Sequence, residues 1–130
     1  MAGRWLIGTN KMNEDATINL YYSDIVKAGG LLSAIRSVLE HGIPGVSING
    51  FGTGRSYAHV EFGERSSQVS LCLNERCFNF DFWLSGRIQA FGLSPNLRDV
   101  EESIKKWLTD KDDIYALARA FPFIKIKECT

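Results

Sequence analysis

The sequence predicts an α+β fold: a mostly antiparallel meander sheet of four to five strands with helices packed on one face, as a two-layer sandwich. Three observations support this. Between positions 57 and 93, apolar and polar residues alternate through four segments, which is typical of strands with one buried face. Short polar or glycine-containing stretches separate the segments, as turns do in a meander. Apolar residues recur at helical spacing on both sides of this region.

The predicted strands of the meander follow each other closely. They are Tyr57 to Phe62, Val69 to Leu73, Phe78 to Phe82 and Arg87 to Leu93. Because side chains along a strand alternate between its two faces, we expect Phe78, Phe80 and Phe82 to be buried together.

Matching the apolar positions of neighbouring strands predicts their register. The expected pairs are Leu73 with Phe78, Phe62 with Val69, and Phe82 with Ile88. The last pair requires Leu84-Ser85-Gly86 as a three-residue loop, in which Gly86 is free to adopt a positive φ.

Before the meander, we predict one helix and one short strand. The regular part of the helix runs from Gly30 to His41, after an N-cap at Ser23-Asp24 and a break at Gly29-Gly30. The short strand covers Val46 to Asn49.

After the meander, we predict two helices and an edge strand. The first helix has its N-cap at Asn96, and its charged residues face water: Arg98, Glu101, Glu102, Lys105 and Lys106. The second is capped by Asp112-Asp113 and ends before Pro122. The edge strand runs from Phe123 to Lys127.

Length and composition predict a single domain spanning residues 1–130. The 130 residues, 45% of them hydrophobic, can bury about two-thirds of the surface that the unfolded chain exposes. For residues 1–20 two alternatives stay open: a short strand from Arg4 to Gly8, and a loosely held arm. The 15 basic and 15 acidic residues cancel, which argues against nucleic acid or an anionic membrane as a partner.

The sequence predicts a cytoplasmic protein, because it contains neither a membrane-spanning apolar segment nor the apolar core of a signal peptide. Its three cysteines, Cys72, Cys77 and Cys129, are odd in number and lack metal-binding spacing. They are therefore expected to be reduced thiols. We expect no metal and no cofactor.

The expected register also predicts which side chains meet on the reverse face of the sheet. One row contains Glu61, Ser70, Asp81 and Gln89, and the next contains His59, Cys72, Asn79 and Phe91. A cysteine, a histidine and an asparagine together can form a thiolate nucleophile with its base and orienting amide. The catalytic candidates are therefore Cys72, His59, Asn79 and Asp81. A flat sheet provides no cleft, and an ordinary half-exposed sheet face explains the same residues.

Two further features suggest binding rather than catalysis. The glycine-rich run from Asn49 to Arg55 contains Phe51 and could hold a phosphate on its backbone amides, but it leads into a strand and is better explained as a mobile loop. The second feature is a set of aromatic and polar side chains whose composition is typical of protein interfaces: Trp83, Arg87, Gln89 and Phe91. Together with Phe51 and Arg55, these four residues are the predicted partner-binding set.

Three groups of residues resemble an uncharacterised bacterial family, a domain of unknown function whose members often bear the label natural product biosynthesis protein. They are Tyr21-Tyr22-Ser23-Asp24 with Lys27-Ala28-Gly29-Gly30-Leu31; Phe82-Trp83, Gly86, Gly92, Asp99 and Trp107-Leu108; and Phe121-Pro122-Phe123. The resemblance covers most of the chain from Tyr21 onward. It implies a bacterial gene-cluster context and assigns no catalytic residue.

Three functions follow as hypotheses, and whether the protein is an enzyme stays open. The first is a non-catalytic accessory protein that binds a protein or peptide. The second is a small biosynthetic enzyme that uses the Cys, His and Asn residues. The third is an immunity protein that binds and neutralises a toxin. The edge strand and exposed aromatic residues also leave a homodimer open.

Overall fold

The computed structural model describes residues 14–50, 52 and 54–127. These residues form five helices and one antiparallel sheet of six strands, which confirms the α+β class. The helices are α1 (14–21), α2 (Ser23–Lys27), α3 (Leu31–Gly42), α4 (Leu97–Thr109) and α5 (Ile114–Ala120). The strands are β1 (Ser47–Gly50), β2 (Tyr57–Phe62), β3 (Arg65–Leu71), β4 (Phe78–Leu84), β5 (Arg87–Ser94) and β6 (Ile124–Ile126).

The sheet is a meander in which the strands lie in chain order and each pairs antiparallel with the next. It has six strands rather than four or five, because both short segments predicted outside the meander join it. The strand predicted from Val46 to Asn49 is observed as β1 (Ser47–Gly50), and the strand predicted from Phe123 to Lys127 is observed as β6 (Ile124–Ile126). Each of these strands lies at an edge of the sheet.

The buried face of the sheet is built from alternate residues, as predicted. Phe78, Phe80 and Phe82 are each at most 1% exposed. Phe80 pairs with Gly92, where a Cβ atom would lie only 2.4 Å from a carbon of the Phe80 ring. A side chain at position 92 would therefore displace this ring from the core. Residues from the two longer helices belong to the same core cluster: Leu31, Ala34, Ile35 and Leu39 from α3, and Val100, Ile104, Trp107 and Leu108 from α4.

The predicted register is wrong in all three hairpins. The observed pairs are Leu71 with Phe78, Phe62 with Arg65, and Phe82 with Ala90. The polar residues 65–68, predicted as a connection, belong to β3, because a two-residue turn with Gly63 at a φ of 64° follows β2 directly. The β2–β3 and β3–β4 registers are displaced by even numbers of residues, so their buried side chains keep the predicted face. Leu73 lies beyond β3 and is 43% exposed.

The predicted helix boundaries are correct at two positions and wrong at one. The predicted break occurs between α2 and α3, where Gly29 and Gly30 adopt φ values of 95° and 116°. The predicted N-cap at Ser23-Asp24 is wrong, because Ser23 is already the first residue of α2. The side chain of Asp113 caps α5 as predicted, accepting a hydrogen bond from the Ala116 N–H at 2.8 Å.

The cap of α4 differs from the predicted one. Asn96 occupies the N-cap position but makes no capping bond with its side chain. Instead, the Ser94 hydroxyl accepts the Asn96 N–H at 3.1 Å and donates to the Asp99 carboxylate at 2.8 Å. A serine two residues before the N-cap position therefore links the end of β5 to the first turn of α4.

The N-terminal part of the chain is more regular than predicted. Residues 14–20, which the arm hypothesis included, are helical, and Ile18 is 3% exposed. The alternative strand from Arg4 to Gly8 lies outside the described residues. None of the helices in the described part of the chain is both long enough and apolar enough to span a bilayer.

Tyr22 connects this N-terminal region to the β3–β4 hairpin. It is fully buried, and its ring packs edge-to-face on Phe78 with centroids 5.7 Å apart. Its hydroxyl accepts the Cys77 N–H at 3.0 Å and donates to the Cys72 carbonyl at 2.5 Å. Burial raises the pKa of Tyr22, so the neutral hydroxyl that makes both bonds is favoured.

Arg76 supports the same connection from outside. Its guanidinium lies 5.6 Å from the Tyr22 ring centroid and 5.3 Å from that of Phe78. It also pairs with Asp24 at 2.8 Å, and its hydrogen bonds lower the pKa of that carboxyl. The hairpin tip is thus fastened to α2 by one buried hydroxyl and one half-exposed ion pair.

We predict that Tyr22→Phe destabilises the protein by roughly 1–3 kcal/mol, because it removes the partner of two part-buried backbone groups, the Cys77 N–H and the Cys72 carbonyl. Urea unfolding followed by circular dichroism measures the change. Tyr115→Phe is the matched control, since Tyr115 is 60% exposed and should change the free energy of unfolding by less than about 0.5 kcal/mol. Equal midpoints for the two variants would contradict the prediction.

Glu101 on α4, predicted to face water, is half-buried, and this has a consequence for pH dependence. Burial, reinforced by the charge of Glu102, raises the pKa of Glu101 from its usual 4.5 to about 7. The folded state therefore holds a proton that the unfolded chain has lost. Stability attributable to Glu101 is full below pH 4.5 and declines as the pH rises to 7.

We predict that Glu101→Gln removes this decline. Because the carboxyl is partly solvated, the gain at pH 8 should be on the order of 1 kcal/mol rather than the full amount that the pKa shift implies. Free energies of unfolding measured between pH 4.5 and 8 test this, with the exposed Glu40→Gln as control. The hypothesis fails if the wild-type and Glu101→Gln curves stay parallel.

Candidate functional site

The reverse face of the sheet, opposite the three buried Phe residues, contains a row of five polar side chains and one phenylalanine through its centre. This central row crosses every strand and consists of Asn49, His59, Gln68, Asp81, Phe91 and Lys125. The antiparallel pairing brings its members side by side, since directly opposed residues lie about 4.5–5.5 Å apart.

Asp81 interrupts the ladder in the middle of this row. Its carboxylate accepts the Gln68 N–H at 2.8 Å, and its backbone carbonyl accepts the hydroxyl of the buried Ser67. Burial raises the pKa of Asp81, while the Gln68 bond, the indole of Trp83 and the charge of His59 lower it in part. At a given pH, the protonated fraction of the Asp81 carboxyl is therefore larger than that of an ordinary aspartate.

Tyr57 adds a third titratable group beside Asp81. It lies on β2, on the same face as His59, and pairs with Ser70. Burial raises the pKa of Tyr57, and the negative charge of Asp81 raises it further. A carboxyl, an imidazole and a phenol in this arrangement could exchange protons with a molecule lying on the reverse face.

The structure does not bring the predicted thiolate site together. His59 pairs with Gln68, and Cys72 follows four residues later, about 13 Å along the strand. Asn79 pairs with Ser70 and Leu93 rather than with a residue next to His59. The predicted contact between His59 and Cys72 is therefore wrong, because it depended on the displaced register.

The thiol of Cys72 is also not activated. Burial and the neighbouring Cys77 thiol raise the pKa of Cys72 to about 11. A catalytic thiol needs the opposite shift, which a nearby cation or imidazolium would provide. Among the described residues, no group of three or more His, Cys, Asp or Glu side chains could hold a metal ion.

The glycine-rich run packs against α3 in its described part. The first amides of α3, those of Leu31 and Leu32, donate to the carbonyls of Arg55 and Gly54 at 3.0 and 2.9 Å. These two bonds use carbonyls of the glycine-rich run and satisfy the first amides of α3, which have no partner within the helix. Arg55 pairs with Asp15 at 2.5 Å. The phosphate hypothesis and the mobile-loop interpretation stay predictions, and Phe51 lies outside the described residues.

A groove with a volume of about 550 Å³ lies at the end of the β4–β5 hairpin, next to α5 and β6. It is lined by Trp83, Gly86, Arg87, Ile88, Gln89, Ile114, Tyr115, Ile126 and Lys127. Trp83, Arg87 and Gln89 belong to the predicted partner-binding set. Phe91, a fourth member, lies further along β5 on the reverse face and is 45% exposed. Arg55, the fifth, is bonded elsewhere.

The groove combines apolar walls with a basic rim. Three isoleucines and the Trp83 ring provide the walls, and Arg87 and Lys127 are exposed cations. In the described part of the chain no acidic side chain lines it. The indole Nε1 of Trp83 is buried and lacks a hydrogen-bond partner of normal geometry among the described residues, although it lies close enough to affect Asp81.

No family model matches the chain, and neither a curated protein nor a solved structure matches it. The resemblance to the bacterial family therefore stays a prediction.

The predicted partner-binding set contains three of the nine residues that line the groove. Ile114, Tyr115, Ile126 and Lys127 come from α5 and the end of β6, which no local pattern relates to the β4–β5 turn. Sequence reasoning also missed Tyr57 and Gln68 beside Asp81. The signal for these two was present in Phe62-Gly63-Glu64-Arg65, because a Gly-x pair between alternating segments is typical of a two-residue hairpin and would have corrected the register.

We predict that Cys72 reacts slowly with iodoacetamide at pH 7 and that its rate rises about tenfold per pH unit up to about pH 10, since only the thiolate reacts. Quenched alkylation followed by peptide mass spectrometry measures the rate. The same measurement in concentrated urea is the control, because unfolding removes the burial that raises the pKa and should speed the reaction strongly. Fast alkylation of folded Cys72 at neutral pH would revive the thiolate hypothesis.

Proposed function

We propose that this protein is a non-catalytic accessory protein that binds a protein or peptide partner through the groove at the β4–β5 hairpin. The observation that supports this most directly is the shared location of Trp83, Arg87 and Gln89 in one groove. We further propose that it acts within a bacterial gene cluster, the context that the family resemblance implies.

The composition of the groove matches that of a protein-binding hot spot. Trp and Arg are the residue types that contribute most binding energy at interfaces, particularly where apolar neighbours exclude water. Here a Trp ring and the aliphatic side chains of Ile88, Ile114 and Ile126 supply the apolar surface. Tyr115 and Gln89 at the same groove provide hydrogen-bonding groups beside that surface.

The charge around the groove indicates the chemistry of the partner. Arg87 and Lys127 are both exposed, and the described lining contains no carboxylate to pair with them. A segment that inserts a bulky apolar side chain and places a carboxylate beside it would complement both features. Such an acidic, apolar peptide is the partner class that we propose.

Catalysis has weaker support. Cys72 and His59 are far apart, and the pKa of Cys72 is about 11. Asp81, His59 and Tyr57 lie on a sheet face, which by itself supplies no oxyanion hole for a reacting carbonyl. The immunity hypothesis is a special case of protein binding and stays a prediction.

We predict that Arg87→Glu weakens the binding of peptides selected from a random displayed library by roughly tenfold or more. The substitution replaces a cation at the rim of the groove with an anion, which repels the carboxylate of the peptide. Selected peptides should combine a bulky apolar residue with Asp or Glu. Fluorescence anisotropy of labelled peptides measures the affinity.

Arg98→Glu is the matched control, since Arg98 is an exposed arginine on α4 outside the groove. Trp83→Ala should also reduce affinity, and its thermal unfolding has to be checked because Trp83 is half-buried. If no peptide is selected, or if Arg98→Glu and Arg87→Glu weaken binding equally, the groove is not the binding site. If Phe91→Ala abolishes binding while Arg87→Glu and Trp83→Ala leave it unchanged, the binding site is on the reverse face.

A further inference from the structure

The two cysteines at the tip of the β3–β4 hairpin lie directly opposite each other. The last ladder pair of this hairpin is Leu71 with Phe78, so the next position pairs Cys72 with Cys77. The Cys72 N–H donates to the Cys77 carbonyl at 2.9 Å, which shows that the pairing continues to this position. Hydrogen-bonded pairs of a regular antiparallel ladder have Cα atoms about 5.5 Å apart, and the range of about 4.4–6.8 Å that a disulfide spans also accommodates some widening where the Tyr22 hydroxyl is inserted.

The two thiols also lie on the same face of the hairpin. Leu71 and Phe78 both point into the core, so the residues that follow and precede them point away from it. Both cysteines are free and half-buried. After burial, the neighbouring Cys77 thiol is the next cause of the raised pKa of Cys72, in keeping with two adjacent sulfurs.

We propose that Cys72 and Cys77 form a redox modification site, at which the paired thiols close reversibly to a disulfide with a low-molecular-weight disulfide such as oxidised glutathione as the oxidant. This inference is independent of the proposed partner-binding function, because neither cysteine lines the groove.

The reaction is balanced by two thiol–disulfide exchanges. In the first, the thiolate of one cysteine attacks a sulfur of oxidised glutathione, forms a mixed disulfide and releases one glutathione thiolate. In the second, the other cysteine, as thiolate, attacks the mixed disulfide at the protein sulfur and releases the second glutathione. Each released thiolate takes up the proton lost by one cysteine. The protein loses two electrons and two protons, and oxidised glutathione becomes two molecules of glutathione.

Closure of this disulfide would act on the atoms that hold Tyr22. The Tyr22 hydroxyl bonds the N–H of Cys77 and the carbonyl of Cys72, so the two cysteines form its binding site. A covalent bond between the two side chains restrains the Cys77 N–H and the Cys72 carbonyl that bind this hydroxyl. It also limits the conformations of the unfolded chain. The oxidised protein should therefore hold the N-terminal helices, α1 and α2, more firmly against the hairpin tip.

The test uses the full-length chain with Cys129→Ser, so that Cys72 and Cys77 are the remaining thiols. Excess oxidised glutathione at pH 8 should yield a protein two mass units lighter, with a Cys72–Cys77 linkage in peptide mapping. The melting temperature should rise by roughly 5–10 °C, as expected for a disulfide that closes a short loop. Hydrogen exchange in α1 and α2 should slow by roughly tenfold, and reduction should reverse all three changes.

Two variants in the same background sharpen the test. Cys72→Ser should show neither the mass loss nor the shift in melting temperature. Tyr22→Phe should still form the disulfide, but the change in α1 and α2 exchange should disappear, because the hydroxyl that transmits it is missing. Three outcomes would each overturn the proposal. The thiols could stay unreacted, they could form stable adducts with one or two glutathiones, or the disulfide could close no more favourably in the folded protein than in concentrated urea. A disulfide that leaves exchange in α1 and α2 unchanged would overturn it as well.

Discussion

The hydroxyl of Tyr22 takes the place of one hydrogen bond in the β3–β4 ladder. At the hydrogen-bonded positions of a regular antiparallel pair, two opposed residues exchange both of their backbone bonds. At the hairpin tip, Cys72 donates to Cys77 directly, whereas the return path from the Cys77 N–H to the Cys72 carbonyl runs through the tyrosine. Only a side chain that both accepts and donates can fill this position, and only a residue held by the core can bring it there. The packing of the N-terminal helices and the geometry of the hairpin therefore depend on each other.

The alternating pattern explains why the faces of the sheet were predictable and the pairs were not. Each Phe from 78 to 82 had to point inward, because period-two alternation determines the face of every residue within a strand. Alternation does not determine how far one strand slides along the next in steps of two. That information resides in the turns. The turn at Gly63 is hard to identify from the sequence, because residues 65–68 are too polar to suggest that a strand follows it. In this segment, burial of Ser67 is possible since its hydroxyl donates to the Asp81 carbonyl.

The same distinction separates the functional residues that sequence reasoning placed well from those it misplaced. Trp83, Arg87 and Gln89 are close in the chain, so their grouping survived the error in register. His59 and Cys72 come from different strands, and a displacement of four residues in the pairing of β2 with β3 separated them. Cys72 instead lies beside Cys77, whose proximity follows from a short hairpin loop. Tyr22, fifty residues away from Cys72, could not be connected to that loop by any local pattern.

The groove exists because β5 contains one residue more than β4 across their pairing. Phe82 pairs with Ala90, but the next residue, Trp83, pairs with Ile88, so Gln89 is the extra residue of a β-bulge. In a regular ladder, Trp83 and Ile88 would point to opposite faces of the sheet. A bulge increases the local twist and bends the strand, which lets side chains from the two faces line one concavity. The β4–β5 turn follows the bulge within two residues, with Ser85 and Gly86 at φ values of 49° and 79°, as a two-residue hairpin of this twist requires. The sequence predicts a three-residue loop in which Gly86 adopts the positive φ of a bulged hairpin, whereas the structure has a two-residue turn and places the extra residue at Gln89. Alternation indicates neither the position of an inserted residue nor the concavity beside it.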